Sequence, residues 1–160
     1  MKFVFLVLSG LYFSGCATQS RLVYSSGFSF QNYDYVIVNK TDGSSTSTSL
    51  FGLDVEFANL MSRYNMKIIG DKEYDKLPEE TKKRTLSARI SFSQNTNSSS
   101  TNILSVSFDD TVTGRTGTNI TTKVRGDMFD AHDRNKAFEK VSEPIIRAIA
   151  SDKGLKVTEE

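Results

Sequence analysis

Three stretches of the chain alternate apolar and polar residues with a period of two. Leu86, Ala88, Ile90 and Phe92 alternate with Ser87, Arg89, Ser91 and Ser93. Leu104, Val106 and Phe108 alternate with Ser105, Ser107 and Asp109, and Ile120, Thr122 and Val124 with Thr121, Lys123 and Arg125. Successive side chains on a strand point to opposite faces, so each stretch predicts a strand with one buried and one solvated side. A Ser/Asn run over residues 95–102 and the string TGRTG at 113–117 predict the turns between them. Further upstream, Tyr35, Val36, Ile37 and Val38 form a short apolar run before the polar string NKTDGSSTSTS, which reads as a strand followed by a loop.

The period changes over residues 50–65, where Leu53, Phe57, Leu60, Met61 and Tyr64 fall on one helical stripe. Residues 66–69 then predict a second strand, stopped by Gly70. A strand–helix–strand unit normally crosses over right-handed and leaves its strands parallel. Segment 71–84 mixes charges of both signs and contains Pro78 followed by Glu79 and Glu80. Proline and acidic residues suit the first turn of a helix, so this segment reads as a solvated connector with one helical turn. From 134 to 153, Ala137, Phe138, Val141, Ile145, Ala148 and Ile149 share one face, with Asp133 as N-cap and Gly154 as the stop. Pro144 lies inside this stripe without shifting its phase, which predicts one kinked helix rather than two.

Two helices with one apolar stripe each complete a core with one-faced strands only if both lie on the same side of one sheet. The predicted fold is a two-layer α+β sandwich in the order β-α-β-β-β-α, its two helices on one face of a mixed sheet of about five strands. The chain divides into residues 1–15, a signal segment, 16–32, a tether with only scattered apolar residues, and 33–160, a single domain.

Charge narrows the partners. Lys plus Arg is 20 and Asp plus Glu is 19; removing Lys2 with the signal leaves 19 of each sign. A neutral domain has no electrostatic reason to bind nucleic acid.

The opening of the chain says more about place than about chemistry. Met1 and Lys2 give a positive start, residues 3–12 a mostly apolar run, and Phe13, Ser14 and Gly15 lead to Cys16, the only cysteine. That order is a secretion signal, and its apolar run is well short of the roughly 20 residues that span a bilayer. The segment Phe13-Ser14-Gly15-Cys16 resembles the lipobox of bacterial lipoproteins, with Phe13 where leucine is usual. The resemblance covers the first 16 residues and implies that Cys16 carries a diacylglyceryl thioether and becomes the new N-terminus. A lone thiol has no intrachain disulfide to form, which fits this use. Two acyl chains suffice for stable membrane attachment. Ala17, in place of an aspartate that would retain the protein at the inner membrane, implies outer-membrane attachment. The predicted element order is also similar to that of small periplasmic domains of bacterial envelope lipoproteins, a likeness of pattern over about 120 residues that gives no function.

Candidate chemistry is sparse. The segment GDMFDAHD brings Asp127, Asp130, His132 and Asp133 together in sequence. It lacks the alternating carboxylates and glycine of a calcium loop and the second histidine or thiolates of a zinc site, so no metal or cofactor is assigned; Asp127, Asp130 and His132 remain the weak candidates. Asp109 and Asp110 point to opposite faces as strand neighbours and read as a solubility feature at a strand end. Serines are plentiful, but the GxSxG nucleophile motif does not occur, and TGRTG lacks the lysine of a phosphate loop. What remains is the solvated sheet face, rich in Ser and Thr, with Arg89, Lys123 and Arg125 as its positive groups. The expectation is a lipid-anchored, non-enzymatic envelope protein, an accessory or assembly component that meets a protein partner through this face or a sheet edge while its helices stay with the core. The alternative is a small-ligand or metal-binding envelope domain built on GDMFDAHD.

Overall fold

The computed structural model describes residues 20–40, 52–95, 101–125 and 131–157. The signal segment, Cys16, Asp127 and Asp130 lie outside them. The described chain forms the predicted α+β sandwich, with a mixed sheet and both long helices on one side. In chain order the elements are strands β1 (Arg21–Tyr24) and β2 (Tyr35–Lys40), helix α1 (Leu53–Arg63), strand β3 (Lys67–Ile68), single helical turns α2 (Asp71–Tyr74) and α3 (Glu79–Lys82), strands β4 (Thr85–Asn95), β5 (Thr101–Asp110) and β6 (Thr116–Arg125), and helix α4 (Ala131–Lys153).

The sheet has six strands in the order β1-β6-β5-β4-β2-β3. β2 runs parallel to both β3 and β4, and every other pair is antiparallel. Period-two alternation puts Leu86, Ala88, Ile90, Leu104, Val106, Phe108 and Ile120 on the inner face, where they meet Phe57 and Met61 of α1 and Val141, Ile145 and Ile149 of α4. Phe108 lies at the centre. Its ring is 5.1 Å from Phe30, edge to face, and 5.9 Å from Phe57, separations at which aromatic pairs attract beyond their area burial.

Several expectations shift. β3 is only two residues long; it follows a tight connection in which Asn65 takes a left-handed φ of 59° and the Met66 N–H donates back to the Met61 carbonyl at 3.1 Å, and its pairing with β2 is parallel, as predicted. Pro78 caps α3, the one helical turn expected of the connector, and α2 adds a second. α4 begins at Ala131, so Asp133 lies in its first turn instead of capping it, and the helix runs unbroken past Pro144. Gly154, at φ 65°, ends it, with the Leu155 N–H donating to the Ala150 carbonyl at 2.8 Å.

The β5–β6 turn occupies residues 111–115 rather than 113–117. Asp110 sets it by accepting the backbone N–H groups of Val112 (3.0 Å) and Thr113 (2.7 Å) and the Thr113 hydroxyl (2.9 Å). Gly117 belongs to β6, where the Phe28 ring occupies the space a side chain would need.

The largest correction concerns the tether. From Ser20 onward the chain is part of the domain. Residues 21–24 add a strand to the free side of β6, with Arg21 opposite Thr121 and Tyr24 opposite Thr118. Phe30 is fully buried. Asp152, near the end of α4, accepts the Phe30 N–H at 2.7 Å and the Ser29 hydroxyl at 3.0 Å, and Lys153 donates to the Tyr33 carbonyl at 2.6 Å. The N-terminal segment is thus clamped between β6 and the last turn of α4.

Candidate functional site

Because both long helices pack on the inner face, the outer face of the sheet is left to short polar side chains. Ser87, Ser105 and Ser107 are half-buried there, and Arg89, Ser91, Thr121 and Lys123 are exposed. The alternation that buries Leu86 and Ala88 dictates this. Of the three cations predicted for the face, two are described. Lys123 is exposed, and no ion pair joins it to any described residue. Arg89 is engaged: its Nη2 donates to Asp109 Oδ2 at 2.7 Å. The Arg125 backbone pairs with Thr101, and its side chain is outside the described part.

Asp109 is not the solvated strand-end group that its sequence position suggests. It is a buried carboxylate, 7 % exposed, held by Arg89 on one oxygen and by the Thr116 hydroxyl at 2.6 Å on the other. A buried charge must be paired and hydrogen-bonded, and this one is. The signal in sequence was the spacing of Arg89 and Asp109, but only the β4–β5 register brings them together, with Ser87 opposite Asp109 and Arg89 one step along. Asp110, its neighbour, turns the other way and accepts the Tyr33 hydroxyl at 2.9 Å. Burial, that hydrogen bond and the Asp110 charge push the Tyr33 phenol up to about 12. Burial pushes the Asp110 carboxyl up as well, but the hydrogen bonds from Thr113, Tyr33 and Val112 outweigh it and hold the group below its ordinary value.

Above the Arg89–Asp109 pair the face dips into a cleft of about 400 Å³. Ile37 and Ser87 form its floor, Tyr74 of α2 one wall, and Thr111 and Gly114 of the β5–β6 turn the other. Ile37 points away from the helical layer yet is only 6 % exposed. No catalytic triad or cofactor cradle is assembled there by the described residues. A second, open groove runs between α1 and α4 on the helical side, where Leu60, Tyr64 and Ile146 meet Leu155 and Val157. The sequence does not show it, because Leu60 and Tyr64 share the α1 apolar stripe with residues that are wholly core.

His132 and Asp133 stand in the first turn of α4, His132 exposed. Among the described residues no three His, Cys, Asp or Glu side chains converge on a point suited to a metal ion; Asp127 and Asp130 are not among them. Nor is any described helix long and apolar enough to cross a membrane.

No family model and no curated protein matches the chain. Two solved structures of the PelC dodecamer from Paraburkholderia phytofirmans are similar to it. One, of a variant, superposes with a TM-score of 0.47 at 13% identity, covering 81% of this chain and 99% of that one. The other has a TM-score of 0.46 at 11% identity, covering 87% of this chain and 99% of that one. At that level the likeness carries no inference about function.

Proposed function

We propose that this is a non-enzymatic protein of the bacterial cell envelope, anchored by a lipid on Cys16, that presents the outer face of its sheet to a protein partner. The observation that carries the partner half of the reading is the one-sidedness of the fold. All the long helices lie on the inner face, and the outer face offers small hydroxyl side chains over β4, β5 and β6, which let another backbone approach closely. The Phe13-Ser14-Gly15-Cys16 segment supports the anchor and, with Ala17, an outer-membrane location.

Arg89 shapes this surface but is a poor handle for testing it, since removing it strands the buried Asp109 carboxylate. Ser91, exposed on β4, is a better one. A photo-crosslinking amino acid at position 91, in intact cells, is expected to give a protein adduct of discrete mass. The same group at position 55 on α1, where Val55 is 60 % exposed, is expected to give none. Adducts from position 55 alone, equal yields from both, or no adduct from either would overturn the sheet face as the partner surface.

A further inference from the structure

We propose that the corner of the outer face formed by β1 and β6 rests on the anionic lipid headgroups themselves, through Arg21 and Lys123. This rests on the lipid anchor at Cys16.

The argument begins with chain length. β1 runs antiparallel to β6, from Tyr24 opposite Thr118 to Arg21 opposite Thr121. Ser20 continues that register, its hydroxyl donating to the Thr122 hydroxyl at 2.9 Å. The chain therefore leaves the domain toward the Arg125 end of β6. Four residues on lies Cys16, and four residues span at most about 14 Å even when fully extended. So short a link cannot hold the domain off the membrane. Whatever lies beside Ser20 and Thr122 is at the headgroup layer, and Lys123 is the next residue along β6.

Charge supplies the second observation. Arg21 and Lys123 are both exposed and occupy the same outer face on adjoining strands. Neither has an ion-pair partner among the described residues. Neither β1 nor β6 carries an Asp or Glu, and Asp109 of the adjoining β5 is already bound to Arg89. Val23, 53 % exposed on the same side of β1, adds an apolar contact of the kind that settles into the interfacial region. At an anionic surface each such cation is worth about fivefold in the equilibrium between a domain lying on the membrane and one lifted from it. The β1–β6 corner then faces lipid, which leaves the β4–β5 half of the face and its cleft to the partner.

The test uses the mature, lipidated chain in vesicles. With its one native cysteine consumed by lipid, Thr121→Cys gives a single labelling site on the corner and Val112→Cys one in the β5–β6 turn at the far end of the sheet. Each is labelled with a fluorophore quenched by a headgroup-labelled lipid. In vesicles of phosphatidylethanolamine and phosphatidylglycerol, position 121 is expected to be quenched more than in phosphatidylcholine vesicles, and position 112 is expected not to change. The double variant Arg21→Glu/Lys123→Glu is expected to lose that increment while staying attached. A vesicle-bound protein with no anionic increment at position 121, or with one that survives the double reversal, overturns the inference and leaves the anchor standing. A chain that does not stay with the vesicles overturns the anchor, and this inference with it.

Discussion

A β-carbon on Gly117 would overlap the ring of Phe28, which packs edge to face on Phe30 at 5.0 Å and stacks on Tyr33 at 5.6 Å. The ring is pinned by those neighbours, so it has little room to yield. Gly117→Ala is expected to lower stability by about 1–3 kcal/mol, the usual cost of overpacking. In a Phe28→Leu background the same change should cost less, and a double-mutant cycle by urea denaturation measures the difference. Equal costs in both backgrounds would mean that Phe28 is not the obstacle. Tyr33 makes a second statement at this scale. Its phenol is neutral in the fold, with a folded value of about 12 against an ordinary 10.0. The stabilisation from the raised value is therefore whole below about pH 10 and is lost as pH rises through about 12. Asp110 works the opposite limb: its lowered value contributes above the ordinary 3.8 and is lost as pH falls through the folded value. Denaturation of wild type and Tyr33→Phe across the alkaline range should give curves that converge between pH 10 and 12. Parallel curves would show that the phenol does not titrate in that way.

Among the elements, β1 and the turn after it show where sequence reading reaches its limit. β4, β5, β6, α1 and α4 are legible because each repeats its own period over several turns or alternations, and burial of one side enforces that period. β1 is four residues long, with Leu22 turned toward the core and Val23 and Tyr24 substantially exposed. So short a run has no period to detect. What holds it is the β6 ladder and the Asp152 clamp, contacts about a hundred residues away in sequence. The Arg89–Asp109 pair was hidden for the same reason: each residue alone looks like solvated strand polarity, and only the register joins them. If residues 20–32 were a tether, Phe30 would be expendable. Fully buried against Phe108, it is not, and Phe30→Ala is expected to cost about 3–5 kcal/mol. A urea midpoint within experimental error of wild type would restore the tether.

For the whole molecule, the proposed scheme gives each surface of the fold a different neighbour. The inner face belongs to the helices; in the proposed scheme the β4–β5 half of the outer face goes to a partner and the β1–β6 corner to the membrane. Nothing in the hydrophobic pattern foretells that division, because it depends on which pole the N-terminus leaves from, and a strand as short as β1 leaves no period in the sequence. The whole scheme hangs on Cys16. The most direct measurement is the mass of the N-terminal peptide of the mature protein isolated from membranes. The account predicts a chain beginning at Cys16 and carrying a diacylglyceryl thioether, and a Cys16→Ser chain found in the soluble fraction. A mature chain that starts downstream of Cys16, or one that keeps Cys16 as a free thiol, would contradict it.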